Sequence, residues 1–317
     1  MAQLFLGVDG GQSGTTALIA DETGRVLGLG RGGPCNHVGA EGGREKFTRA
    51  IEEALAGACR QAGFDTARTQ FEAACLGFSG GPADKEALLQ ELIPTRRLIV
   101  TTDAFIALAG ATGGEPGVVV IAGTGSIAFG RNAAGKTARA GGWGYLFGDE
   151  GAAFDLVRQA LRAALRFEEG WGPPTDLRRR LLEATETRSA GELLHRFYTA
   201  EFPRDRIAAL APLVDQAARE GDAVAGAILD KAAQDLASLA SAVRRQLFQN
   251  GETALVAYLG GAFRSGRLLE RFRVLVELEE GNRVEPPRYG PAAGALIEAW
   301  RAAGLRPTTT GLPASEK

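Results

Sequence analysis

Histidine, cysteine, methionine and lysine are all scarce in this chain, and each scarcity removes a class of function. Only His37 and His195 are present, which excludes a histidine-rich metal centre. The three cysteines, Cys35, Cys59 and Cys75, are too few and too irregularly spaced for a disulfide framework or a zinc knuckle. A reducing, cytoplasmic setting is the expectation. Of 36 basic residues only Lys46, Lys85, Lys136, Lys231 and Lys317 are lysine, and the sole methionine is Met1. That bias fits a GC-rich coding sequence and carries no function. There is no five-residue basic run, and the net charge is -2. Nucleic-acid and anionic-membrane partners therefore have no electrostatic support. No uncharged apolar run is long enough to cross a bilayer, and Met1–Leu6 lacks the positive charge of a signal peptide.

Glycine is abundant instead. The chain has 44 glycines in 317 residues, roughly twice average usage. They gather at 7–14, 28–33, 77–81, 110–130 and 141–151, with a pair at 260–261. Glycines at the ends of apolar runs predict turns where backbone approaches a ligand. The apolar pattern predicts strands at 4–9, 15–20 and 26–29, then a helix over 44–62 that Gly63 caps. Strand 72–78, helix 84–92, strand 97–101 and a helix from Asp103 follow, giving the order βββαβαβ.

The second part of the chain repeats the first. At an offset of 111 residues Ser13 falls on Thr124, Asp21 on Asn132, Gly24 on Gly135 and Arg25 on Lys136. Two similar lobes are expected. The second runs on through a helical stretch to a long helix at 222–249, a strand at 253–259, a helix near 265–272, a strand at 274–278 and a last helix after Pro291. The tail from Pro307 is expected to fray.

Two familiar motifs are misleading. Gly130–Thr137 satisfies the Walker A pattern, but a P-loop needs a helix at its Lys-Thr, and Ala-Arg-Ala-Gly-Gly follows. The repeat assigns the segment to a hairpin turn. Gly123-Thr124-Gly125-Ser126 likewise mimics a dinucleotide fingerprint, yet the residues after it read as strand. A hairpin-type phosphate loop remains.

The first turn joins Asp9, Gly10, Gly11, Ser13 and Thr15. Glycines let amides reach an anion, hydroxyls donate to phosphate oxygens, and the carboxylate suits hydrated Mg²⁺. A plain glycine-rich hairpin is the bland alternative. Two such loops in duplicated lobes, facing across a cleft, would grip the β- and γ-phosphates. Asp103 ends a strand, where α/β sheets bind ligands, and suits a general base; an N-cap role is equally open and compatible. The run 141–151 sets Trp143, Asp149 and Glu150 among five glycines, a framework suited to a sugar's C–H face and hydroxyls. Asn36, Ser79, Gly80 and Gly81 can complete such a site, and Gly260-Gly261, between a strand and a helix, suits an adenosine.

Together these segments, with Asn36-His37, Ser79-Gly80-Gly81, Thr101-Thr102-Asp103, Gly142-Trp143-Gly144 and Gly148-Asp149-Glu150-Gly151, resemble the BadF/BadG/BcrA/BcrD ATPase family of the actin-like and sugar-kinase superfamily. Within it they look like the N-acetylglucosamine kinases. The likeness runs from Leu4 to about Ala303. It implies an α/β fold of duplicated actin-like (ribonuclease H-like) βββαβαβα domains, 1–113 and 114–317, with a helical insertion at about 165–250 and the last helix packing back on the first domain. It implies ATP and Mg²⁺ as cofactors, the metal held by Asp9 through water. Asp9, Gly10, Gly11, Ser13, Thr15, Gly123, Thr124, Gly125, Ser126, Gly260 and Gly261 would bind nucleotide. Asn36, Ser79, Gly80, Gly81, Gly142, Trp143 and Asp149 would hold a sugar, with Asp103 as base on its 6-hydroxyl. A homodimer is expected. Gln12 stands where many relatives have glycine, Ser13 where they have threonine, and Val38 where an aromatic can occur. Rival expectations are glucosamine, N-acetylmuramic acid or broad hexose specificity, an iron–sulfur activator ATPase of a radical dehydratase, and a non-catalytic sugar sensor.

Overall fold

A computed structural model describes residues 3–35, 38–39, 42–81 and 83–316. It divides into two compact units, 1–117 with 286–317, and 118–285.

The first unit contains β1 (Leu4–Gly10), β2 (Thr15–Asp21), β3 (Val26–Gly32), α1 (Gly43–Ala62), β4 (Ala73–Phe78), α2 (Glu86–Leu92), β5 (Leu98–Thr102) and α3 (Asp103–Thr112). The second contains β6 (Gly117–Ala122), β7 (Ser126–Arg131), β8 (Thr137–Gly141) and α4 (Ala153–Glu168). Four shorter helices follow, α5 (Leu177–Thr185), α6 (Ala190–Phe197), α7 (Arg204–Ala208) and α8 (Pro212–Arg219). The long α9 (Ala223–Leu247), β9 (Ala254–Leu259), α10 (Gly266–Glu277) and β10 (Asn282–Glu285) complete it. The last helix, α11 (Pro291–Ala302), belongs to the first unit.

The sheets have orders β3-β2-β1-β4-β5 and β10-β9-β6-β7-β8, the same topology traced twice. β1 is antiparallel to β2 and parallel to β4, and β4 is parallel to β5. β9 is likewise parallel to both β6 and β10. The repeat extends to single hydrogen bonds. In the β2–β3 turn Arg25 N donates to Asp21 Oδ1 at 3.1 Å and Gly24 N to Asp21 O at 3.2 Å. In the β7–β8 turn Lys136 N donates to Asn132 Oδ1 at 3.0 Å and Gly135 N to Asn132 O at 3.0 Å. The Walker-like segment is therefore a hairpin turn, as its repeat partner requires.

Side-chain alternation splits the first unit's core into two layers. Leu6 and Val8 pack with Phe47, Ile51 and Leu55 of α1, while Phe5 packs with Leu296 and Trp300 of α11. Gly7 is on the α11 side, where a Cβ would lie 2.5 Å from Leu296 N and 2.6 Å from Ala292 O. Asp9, two residues on, therefore points toward the start of α11.

Three expectations need correction. Residues 274–278 are not a strand but the end of α10 and the residue after it; the buried set Leu268, Phe272, Val276 has helical spacing, and Val274 and Leu278 are exposed. The fifth strand is β10, short and polar at a sheet edge. The tail is anchored, not frayed. Val26 N donates to Thr310 O at 2.9 Å, Thr310 N donates to Gly24 O at 2.9 Å, and Glu316 is only 6% exposed. Thr102, not Asp103, caps α3, its hydroxyl accepting from Phe105 N.

Candidate active site

Strand register brings the first unit's candidates together. Gly10 pairs with Phe78, and Phe78 with Thr102, so the residues at the ends of β1, β4 and β5 form one row. Asp9, Ser79 and Asp103 share that C-terminal edge, the ligand-binding edge of a parallel sheet. Ser79 N donates to Gly10 O at 3.2 Å, closing the row. The Ser79 hydroxyl donates to Asp103 Oδ2 at 2.7 Å and Ala104 N to Asp103 Oδ1 at 2.8 Å. Both carboxylate oxygens are thus oriented, with further lone pairs open to a donor. Gly80 and Gly81 follow in left-handed conformations, φ 82° and 88°.

Asp9 is partly buried, and its carboxyl is pushed up to about 7 by burial first, then by the charges of Glu316 and Asp103. Glu316 sits at the first turn of α11, where Ala293 N donates to its Oε2 at 3.2 Å. Sequence reading missed this residue because nothing in a polar tail marks a buried carboxylate. Lys85 was missed as well; it is 3% exposed and donates to Gly81 O at 2.8 Å and Asp84 Oδ1 at 2.6 Å. The first loop is a tight turn, with Gly11 N donating to Gly14 O at 2.9 Å and Ser13 exposed. Thr15 departs from its expected role: it is buried, and its hydroxyl donates to Gly33 O at 2.8 Å instead of facing a phosphate. Asn36 lies outside the described residues.

The second unit gathers the rest. Gly123 N donates to Gly125 O at 3.0 Å, and a Cβ on Gly123 would have open space around it. Pairing of Ile121 with Leu259 sets Gly260 against the end of β6, where a Cβ would fall 2.4 Å from Ala122 O; Gly261 has open space. Ser126, like Thr15, spends its donors on the fold, the hydroxyl on Glu150 O at 2.7 Å and the amide on Asp149 Oδ1 at 3.1 Å. Asp149 is 4% exposed and holds a left-handed backbone, φ 64°, that costs a non-glycine residue about 1 kcal/mol. An ion pair to Arg204 secures it, and that guanidinium also lies 5.2 Å from the Tyr145 ring centroid. Arg204, from the first turn of α7, had no sequence signal, being one arginine among many in a generic helical region. Gly142 N donates to Ser126 O at 2.9 Å, tying the 141–151 loop to the hairpin. Trp143 is 65% exposed, with Arg139 stacked 4.9 Å from its ring centroid.

Among the described residues no group of three or more His, Cys, Asp or Glu can hold a metal ion, and no helix is long and apolar enough to cross a membrane. Mg²⁺ needs less than such a cage, often one or two carboxylates plus substrate phosphates. Asp9 fits that role: a carboxylate pressed by burial and two like charges gains most from a divalent cation.

The fold and these loops define an actin-like ATPase. The sequence profile of the BadF/BadG/BcrA/BcrD ATPase family matches residues 6–299, and the chain belongs to that family. It is 31% identical over 301 residues to an N-acetylmuramic acid/N-acetylglucosamine kinase from Clostridium acetobutylicum, covering 93% of this chain and 97% of the relative. It is 31% identical over 273 residues to an N-acetyl-D-glucosamine kinase from Dictyostelium discoideum, covering 82% and 85%. The crystal structure of a putative N-acetylglucosamine kinase from Chromobacterium violaceum superposes with a TM-score of 0.74 at 29% identity, covering 93% and 98%.

Proposed function

We propose that this protein is an amino-sugar kinase that transfers the γ-phosphate of ATP to the 6-hydroxyl of N-acetylglucosamine, in the cytoplasm and as a homodimer. The observation that carries the reading is Asp103, oriented by Ser79 and Ala104 N at the sheet edge beside Asp9. Family membership and relatives named as amino-sugar kinases support the substrate class.

Asp103 accepts the 6-hydroxyl proton as that oxygen attacks the γ-phosphorus, and the bond to the bridging oxygen of ADP breaks. Its two donated hydrogen bonds fix the direction from which the hydroxyl can approach. In the first unit Gly10, Gly11 and Ser13 offer amides and an exposed hydroxyl to a phosphate; in the second, Gly123, Thr124 and Gly125 offer amides and a hydroxyl. Gly260 and Gly261 take the adenosine. Asp9 would hold Mg²⁺, which neutralises phosphate charge when bound. In the first unit Ser79, Gly80 and Gly81 suit a sugar; in the second Gly142 and Trp143 do, and Asp149 with Arg204 holds the 141–151 loop in place. Three buried, unpaired cysteines fit a reducing compartment.

The test is Asp103→Asn in an ADP-release assay. Turnover should fall by roughly two to four orders of magnitude, as for loss of a general base, with ATP binding retained. Near-normal turnover would remove Asp103 from this role. Light scattering tests the dimer.

A further inference from the structure

The first unit has a cavity of about 230 Å³, smaller than drug-sized pockets of roughly 300–1,000 Å³. Its walls come from the end of α3, the end of α11 and the two chain segments next to them. It lies away from the Asp9 edge. Trp300, in its wall, donates its indole N–H to Asp21 O at 3.0 Å, and Asp21 pairs with Leu4 at the start of β1. Asp9 is five residues along that strand, on the order of 17 Å away at about 3.3 Å per residue.

The charge of this cavity sets it apart. Arg288, Arg301 and Arg306 all line it, against one carboxylate, Glu115, in a protein whose net charge is -2. Arg301 is held by Glu298 at 2.9 Å and by Gly114 O. Arg288 and Arg306 are exposed, and among the described residues no ion pair joins either to a carboxylate. Three arginines lining one cavity, two of them with no ion pair to a carboxylate among the described residues, suit a phosphate. The hydroxyls of Tyr289, Thr308 and Thr309 in the same wall suit a polyol.

The position also matters. The chain passes between its two units at 117/118 and again at 285/286. Glu115 precedes the first passage, and Arg288 and Tyr289 follow the second. The segments are laced together inside the first unit, with Arg288 N donating to Ala111 O at 3.0 Å and Tyr289 N to Gly110 O at 3.1 Å.

We propose that this cavity is a second binding site, taking a phosphorylated monosaccharide whose phosphate is held by Arg288, Arg301 and Arg306. The choice of a sugar phosphate among anions rests on the amino-sugar kinase reading; the anion site itself rests on the arginines.

Calorimetric titration of the full chain, its catalytic site first filled with saturating N-acetylglucosamine and ADP, with N-acetylglucosamine 6-phosphate and separately with inorganic phosphate, tests it. Wild type should bind the sugar phosphate saturably and more tightly than inorganic phosphate. Affinity should drop at least tenfold in Arg288→Glu/Arg306→Glu, with ATP affinity unchanged; the milder Arg288→Ser/Arg306→Ser serves if the first does not fold. Undiminished binding in a folded variant, or no saturable binding by wild type, overturns the site. Equal affinity for the two probes overturns the sugar phosphate as its ligand. Because calorimetry needs no turnover, failure here is separate from failure of the kinase reading, which ADP release reports.

Discussion

Asp9 carries the most unusual proton affinity at the candidate site, and it gives a pH-dependent expectation. A carboxyl raised from 3.8 to about 7 in the folded chain holds its proton where the unfolded chain has released it. Its contribution to stability is complete below 3.8 and is lost as pH rises through about 7. Asp9→Asn, which cannot ionise, should therefore melt above wild type at pH 8.5 by several degrees in buffer free of metal and nucleotide, at roughly 2–4 °C per kcal/mol. At pH 3.5 the gap should close. A gap of equal size at both pH values would show that the Asp9 charge is not the cause. Ser79→Ala tests the neighbouring contact. It removes the donor to Asp103 Oδ2, a hydrogen bond to a charged group in the range of about 1.5–3 kcal/mol, so kcat/KM for sugar should fall about 10- to 100-fold. An unchanged value would mean that Asp103 needs no orienting partner.

At the scale of elements, glycines divide into those the packing requires and those it leaves open. Gly30 of β3 faces α1 so closely that a Cβ would lie 1.8 Å from Ala54 O and 2.5 Å from Ala58 N. Gly30→Ala should destabilise the protein by about 1–3 kcal/mol, read as a lower urea midpoint. Gly123 has no such neighbour, and the proposed function puts its backbone against phosphate. Gly123→Ala should melt like wild type while its KM for ATP rises about tenfold. Loss of folding in that variant would give Gly123 a structural role. Much of this architecture was legible in the sequence, because the Asp21 and Asn132 turns repeat residue types that make the same hydrogen bonds. The misreading at 274–278 came from apolar residues on an exposed helix face, where Val274 and Leu278 imitate a buried run. β10 escaped notice because a short, polar edge strand lacks an apolar signature.

At the scale of the whole molecule, the family was legible because its motifs are short, glycine-rich and fixed in order from Leu4 onward. The candidate site was legible only in part. Asp9, Ser79 and Asp103 are marked by strand ends, whereas Glu316, Lys85 and Arg204 reach their places through tertiary contacts that no local pattern encodes. Thr15 and Ser126 show the converse, since a hydroxyl in a loop motif can serve the fold's own carbonyls. The central claim concerns chemistry, and ADP release with Mg²⁺-ATP measures it directly across N-acetylglucosamine, glucosamine, N-acetylmuramic acid and glucose. The account predicts rapid, sugar-dependent release with N-acetylglucosamine, the largest kcat/KM of the four, and nearly none without sugar. Release that proceeds at the same rate with and without every sugar would contradict it.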